Sequence, residues 1–133
     1  MQTNEKKPIA CAAAIPWRGG HLKEGAGTET GWEIKIVCVN PSPEYQRRGL
    51  AVQVLAFLEE YLVGIERDAL FREGIRSAGG RGVDFWILAA ECQAGPYWRR
   101  RGYAEVRRRT EGPGVWSCLR EFEMLVLRRR VEL

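Results

Sequence analysis

Between Trp32 and Leu62 the spacing of apolar residues changes from that of a strand to that of a helix, and the change is made across Asn40-Pro41-Ser42-Pro43. Trp32 to Val39 (WEIKIVCV) alternates, with Ile34, Ile36 and Cys38 on one face and Glu33, Lys35, Val37 and Val39 on the other. That is the two-residue period of a strand. The two prolines end it, since they remove ladder donors and fix a turn. From about Arg48 to Val63, residues Ala51, Val54, Leu55, Leu58 and Leu62 recur at helical spacing, and Leu50, Phe57 and Tyr61 widen the stripe to a deeply buried face. Val83 to Ala90 (VDFWILAA) is then a near-continuous apolar run, as expected of a central strand covered on both faces. A strand, a helix and a doubly covered strand in that order commit the chain to an α/β architecture.

The remaining segments fill in around this unit. Residues 1–7 are polar and read as a flexible terminus. Lys7 to Trp17 reads as a strand bounded by Pro8 and Pro16, and Arg18 to Gly31, rich in Gly and Thr, as a flexible loop. Ile65 to Arg76 either extends the helix or forms a second one, and Ser77 to Gly82 is a loop. Gly95-Pro96 starts a short helix, Tyr97 to Arg101, that stops at Gly102 in the C′ position. Tyr103 to Arg109 and Cys118 to Arg130 are strands either side of a Glu111–Gly114 turn, the last with Phe122, Met124, Val126 and Arg128 on one face. The order β–β–α–β–α–β–β predicts a mixed sheet flanked by helices, in one domain spanning residues 1–133.

Several function classes drop out. No apolar run reaches the roughly 18 residues of a membrane span, and no signal-peptide pattern opens the chain; a cytoplasmic protein is expected, with the nucleus also open to it. The four cysteines (Cys11, Cys38, Cys92, Cys118) form no C-x-x-C pair, and His21 is the lone histidine. No tetrahedral ligand set can be read from these spacings, so no metal is expected, and each cysteine reads as a small reduced core residue. Net charge is +4, and only Lys6, Lys7, Lys23 and Lys35 are lysines. Arginine suits bidentate contacts to phosphate and carboxylate, and three triplets stand out: Arg99–Arg101, Arg107–Arg109 and Arg128–Arg130.

The most pointed stretch runs from Val37 to Ala51 (VCVNPSPEYQRRGLA). A strand ends, a turn follows, and a helix opens with Arg47-Arg48-Gly49. The first amides of a helix have no internal partner and carry the positive end of its dipole, so they favour an anion. Gly49 lets backbone approach a bulky phosphate, Arg47 and Arg48 add charge, and Ala51 leaves room. This is a diphosphate cradle, without the signature of a P-loop or of a dinucleotide fold.

Gln46-Arg47-Arg48-Gly49-Leu50-Ala51 resembles the Q/R-x-x-G-x-G/A motif of the GCN5-related N-acetyltransferase (GNAT) superfamily. Tyr97-Trp98-Arg99-Arg100-Arg101-Gly102-Tyr103 resembles that superfamily's later F-Y-x-K-x-G-F helix and strand start. The resemblance covers about three-quarters of the chain, from Trp32 onward. It implies acyl-CoA chemistry: acetyl-CoA as co-substrate, an amine as acceptor, and direct transfer. In that superfamily one strand splays from the next and the pantetheine arm enters the gap like an added strand. The match would set backbone of Val37, Cys38 and Val39 against pantetheine, and amides of Gln46 to Ala51 against the pyrophosphate. Trp98 would lie along the pantetheine and Arg100 near the nucleotide phosphate.

Glu33 lies six residues before Val39, the offset of the strand glutamate of histone acetyltransferases in the superfamily, and is the candidate base. It is expected on the same strand face as Val37 and Val39, where an apolar cleft would raise its pKa. Equally, it reads as a solvated charge paired with Lys35. Four residues before Gly102, where many members carry a thiol-protonating Tyr, stands Trp98, whose indole N–H is no practical acid. Tyr97 is adjacent but about 100° away on a helix; either it shifts in, or water protonates the thiolate. The family's usual first strand and two helices are missing ahead of these elements. The strand edge near Lys7–Trp17 is then open to a homodimer partner or another chain that completes the sheet.

Two further readings stand beside the acyltransferase. One is a catalytically impaired GNAT-like protein that binds CoA or a partner chain. The other is a basic nucleic-acid-binding module built on the arginine triplets interleaved with Tyr97, Trp98 and Tyr103. On strands a triplet alternates in direction and presents no continuous basic stripe, so solvated faces are expected there.

Overall fold

The computed structural model describes residues 7–73 and 82–133. Five strands form one mixed sheet in the order β1-β2-β3-β5-β4, from β1 (Ala10–Pro16), β2 (Trp32–Val39), β3 (Gly82–Ala90), β4 (Ala104–Glu111) and β5 (Phe122–Glu132). Helix α1 (Leu50–Glu73) connects β2 to β3, and α2 (Glu91–Arg100) connects β3 to β4. β2 and β3 are parallel, and the other neighbours are antiparallel. The α/β fold with a mixed, helix-flanked sheet is therefore as the sequence implied. Among the described residues no helix is long and apolar enough to cross a membrane.

β3 is buried on both faces, with Phe85 and Trp86 fully enclosed. Phe85, Ile87 and Ala89 join Leu55, Leu62, Leu125 and Leu127 in the main core under the helices. Trp86 and Leu88 face the opposite way, toward Trp17 and Val126. α1 is one continuous helix to Glu73, and the loop expected over 77–82 lies, up to residue 81, outside the described residues, as do residues 1–6. Its buried face carries carboxylates as well as leucines: Glu59 accepts a hydrogen bond from the Tyr103 hydroxyl at 2.8 Å and pairs with Arg129, and Glu66 accepts one from the Trp32 indole at 3.0 Å. Phe57 and Tyr61, read as part of the buried face, are instead 71% and 68% exposed. Polar anchors from Trp32, Tyr103 and Arg129 fix the helix by another face, roughly half a turn away.

α2 is longer than its predicted piece, taking in Glu91–Arg100 with Pro96 inside. It ends as expected: Gly102 at φ 93° donates to Arg99 O at 3.0 Å, and Tyr103 donates to Trp98 O at 3.1 Å, a Schellman closure.

The sequence reading of β2 fails at one residue. The β1–β2 register passes from Ala13↔Ile36 to Ala14↔Ile34, which leaves Lys35 as a bulge. One extra residue swaps the faces beyond it. Ile34 and Val37 both pack toward the α1 core, whereas Ile36 and Cys38 are exposed. Glu33 therefore does not share a face with Val37 and Val39. Three of the four cysteines are not core residues: Cys11, Cys38 and Cys92 are exposed, with Cys11 directly opposite Cys38 across the ladder, whereas Cys118 is half-buried against Phe122 and Met124.

Six of the nine arginines in the triplets are engaged in intramolecular ion pairs and are not simply solvated. Arg99 and Arg108 meet Glu91 and Glu105, Arg109 meets Glu24 and Glu111, and Arg130 meets Asp84. Arg107 does most, holding the 18–31 loop against the sheet: it donates to both oxygens of Glu29 at 2.7 and 2.8 Å, to Glu24 at 3.1 Å and to Gly19 O at 3.0 Å. Gly19 itself sits at φ 98°, and a Cβ there would stand 2.3 Å from the Ala26 nitrogen. Trp17 closes the loop, stacked on Trp86 with ring centroids 4.6 Å apart. The segment read as a flexible loop is thus pinned at several points.

These contacts carry a pH dependence. Hydrogen bonds from Arg107, helped by the Trp17 indole and opposed by burial, hold the Glu29 carboxyl below its ordinary value of 4.5. A lowered folded-state value stabilises fully above the unfolded value and is lost as pH falls through the folded one. The melting temperature is expected to drop on acidification below pH 4.5, and to drop less in Glu29→Gln, whose side chain does not titrate. Parallel thermal melts of the two proteins down to acid pH check this.

Candidate active site

The cradle is built by the turn between β2 and α1. Asn40 Oδ1 accepts from the Ser42 amide at 3.0 Å, and the Gln46 side-chain amide reaches back to Asn40 O at 3.0 Å, so the turn is closed by its own side chains. Pro43–Tyr45 forms one 3-10 turn. Arg47 at φ 59° and Gly49 at φ 69° then curl the backbone in the left-handed region before α1 starts. The Gln53 amide makes an intrahelical bond to Gly49 O at 3.0 Å, so the amides of Leu50, Ala51 and Val52 lie ahead of it. No acidic side chain occupies this first turn, which leaves the positive end of the dipole uncompensated. A cavity of about 290 Å³ opens here, lined by Val39, Gln46, Arg47, Arg48, Gly49, Leu50, Ala51 and Tyr97.

β2 and β3 pair only at Trp32↔Phe85 and Glu33↔Trp86. Beyond those two pairs they separate, and the β3-side edge of β2 from Ile34 to Val39 has no strand against it. Val37, Cys38 and Val39 thus border an open cleft that runs toward the cradle.

Glu33 sits at the vertex of that cleft. At 7% exposure it is the buried charged residue among the described ones, and its carboxylate lies 3.4 Å from the Lys35 ammonium. It is paired, as one reading held, yet it is not solvated. It lines a second, larger cavity of about 590 Å³ together with Arg18, His21, Lys23, Lys35, Leu88 and Trp116. Leu88 belongs to the Trp17/Trp86 face of the sheet, so this cavity opens on the side opposite α1.

Tyr97 and Trp98 divide as their helical spacing requires. Trp98 turns to the core, edge-on to Tyr103 at 5.3 Å. Tyr97 lines the cradle cavity; its hydroxyl is buried with no hydrogen-bond partner among the described residues, and the Arg101 guanidinium lies 5.3 Å from its ring. Arg100 is exposed on the last turn of α2.

Among solved structures, the chain is similar to NAA60 of Arabidopsis thaliana in complex with a bisubstrate analogue, with a TM-score of 0.50 and 15% identity over 99% of this chain and 70% of that one. The fold is GNAT-like. No protein-family profile and no curated protein matches the chain.

Arg18, His21, Lys23 and Trp116 line the cavity beside Glu33 without having been singled out for it. The first three come from the loop between β1 and β2. Trp116 comes from the β4–β5 connection, where Gly114, Trp116 and Ser117 all have positive φ. No spacing pattern links these two loops, because they meet only across the folded sheet. Among the described residues no group of three or more His, Cys, Asp or Glu converges on a point.

Proposed function

We propose that the chain is an acyl-CoA-dependent N-acyltransferase that moves an acetyl group from acetyl-CoA to an amine by direct transfer. One observation carries the reading: two parallel strands part immediately after Glu33 and Trp86, with an anion cradle on the helix side and a buried carboxylate in a cavity on the other. The residues fit the co-substrate. A Cβ at Gly49 would meet nothing within 4 Å, so the cradle has free space above the amides, and the unpartnered Tyr97 hydroxyl is a polar group awaiting a ligand. Amides from Arg47 to Ala51 would hold the pyrophosphate, with Arg48 beside them, and the free edge of Val37–Val39 would hold pantetheine.

Acetyl-CoA, when bound, supplies a thioester whose carbonyl carbon forms the new C–N bond as its C–S bond breaks. Glu33, 3.4 Å from the Lys35 ammonium, accepts the proton that the acceptor nitrogen sheds. Tyr97 donates its hydroxyl proton toward the departing sulfur and is reprotonated from solvent. A binding protein without turnover is the second reading, favoured by the packing of half-buried Trp98 against the core at the position where the GNAT motif places a tyrosine.

The cradle is tested by titrating acetyl-CoA calorimetrically into the wild type and Arg48→Glu/Gly49→Glu. Two carboxylates above the helix amides are expected to weaken binding about a hundredfold or more; both positions are exposed, so the cost in stability is limited to the strain of a side chain at Gly49, φ 69°, about 1–2 kcal/mol. Equal affinity in the two proteins would remove the cradle from the site.

A further inference from the structure

We infer that the cavity beside Glu33 selects an amine acceptor that also carries an anionic group, a carboxylate or a phosphate, held by Arg18 and Lys23. This deepens the acyltransferase reading and rests on it for the identity of the amine site.

The cavity wall is lopsided in charge. Glu33 is matched by Lys35 at 3.4 Å. Arg18 and Lys23 line the same space and have no carboxylate partner among the described residues, whereas Arg99, Arg107, Arg108, Arg109, Arg129 and Arg130 are all paired. The loop that carries them is not loose: Arg107 fixes Gly19 and Glu29, Glu24 pairs with Arg107 and Arg109, and the Lys23 amide donates to Gly20 O at 3.0 Å. The acids of this loop therefore point to Arg107, while its cations point to the cavity. Lys23 is itself held at φ 57°, a left-handed conformation a lysine rarely adopts. About 590 Å³ lies between these cations and Glu33, enough for a small amine with an acidic substituent.

The chemistry agrees with the placement. An acceptor arrives as an ammonium ion, and two unpaired cations repel it unless the same molecule carries an anion that offsets them. Trp116, which closes the cavity from the β4–β5 connection, offers a flat apolar wall to the carbon chain between the two groups.

The test titrates four primary amines of similar length into the chain without acetyl-CoA: propylamine, putrescine, β-alanine and phosphoethanolamine. β-Alanine or phosphoethanolamine is expected to bind about tenfold or more tighter than propylamine, the scale of two partly exposed ion pairs, with putrescine weakest. Whichever of the two is tighter identifies the anion as carboxylate or phosphate. The preference should shrink as salt is raised. Arg18→Glu/Lys23→Glu should abolish it while leaving acetyl-CoA binding unchanged, and Arg18→Gln/Lys23→Gln provides the same test without charge reversal. Equal binding of β-alanine, phosphoethanolamine and propylamine to the wild type overturns the inference, as does a preference that survives both double variants. Failure of acetyl-CoA to bind the wild type would instead overturn the acyltransferase reading, and the anion titration would still be read by itself.

Discussion

Glu33→Gln is expected to lower the rate of acetyl transfer by between about a hundredfold and ten-thousandfold, the usual contribution of a positioned general base. Glutamine keeps the shape and the hydrogen-bonding carbonyl of the side chain but cannot take a proton from an attacking amine. The acetyl-CoA affinity should stay at the wild-type value, because the cradle cavity is lined by other residues on the other side of the cleft. The loss should appear in kcat at saturating co-substrate. It should not appear as unfolding, since the substitution removes one half of a partly exposed pair, Lys35 having 49% of its side chain in solvent. Steady-state kinetics beside calorimetry and a thermal melt separate the three outcomes. A variant that turns over at the wild-type rate would take the base assignment away from Glu33. A variant with the same kcat and a raised KM would make Glu33 a binding group only.

The sequence carried the topology well because the topology was written in short-range signals. The Pro-Ser-Pro break, the Arg-Arg-Gly helix entry and the Gly102 stop are local, and each appears where its chemistry puts it. The two-sided burial of Val83–Ala90 was legible for the same reason: a continuous apolar run has no other place to go. What escaped was set by long-range pairing. Alternation along Trp32–Val39 looks unbroken, yet the bulge at Lys35 depends on its β1 partner and moves Glu33 to the face away from Val37. Phe57 and Tyr61 fit an apolar helical stripe, but Glu59 and Glu66, seven residues apart on another face, found Tyr103, Arg129 and Trp32. The arginine triplets looked free because their carboxylates lie up to 83 residues away in the chain. The Tyr97/Trp98 ambiguity was a matter of one residue in a helix, and it was decided by which ring the core around Tyr103 accommodates.

Trp86→Ala is expected to be the most damaging single substitution for stability, costing about 3–5 kcal/mol. Against the roughly 5–15 kcal/mol that stabilises a domain of this kind, that is a large fraction, and it corresponds to a fall in melting temperature of about 10–20 °C. Three contacts end at this fully enclosed ring. Trp17 stacks on it at 4.6 Å, Arg128 lies 5.6 Å from its centroid, and its indole N–H donates to Thr30 O at 2.8 Å. Two of those partners, Trp17 and Thr30, bracket the 18–31 loop, so the ring is the floor on which the loop rests. Trp86→Phe keeps an aromatic surface for Trp17 and loses the hydrogen bond, and is expected to cost about 1–2 kcal/mol more than a simple loss of area suggests, because Thr30 O is left without its donor. The consequence reaches the site. Arg18, His21 and Lys23 hang on this loop, whereas the cradle is built from the β2–α1 turn at the other end of the cleft. Below its lowered melting point, Trp86→Ala should therefore still bind acetyl-CoA, but should lose the preference for anionic amines. A melting temperature within a few degrees of wild type would show that the Trp17–Trp86 stack is not what seats the loop. Unchanged amine selectivity in a destabilised variant would show that Arg107, with its hold on Glu24, Glu29 and Gly19, is sufficient by itself.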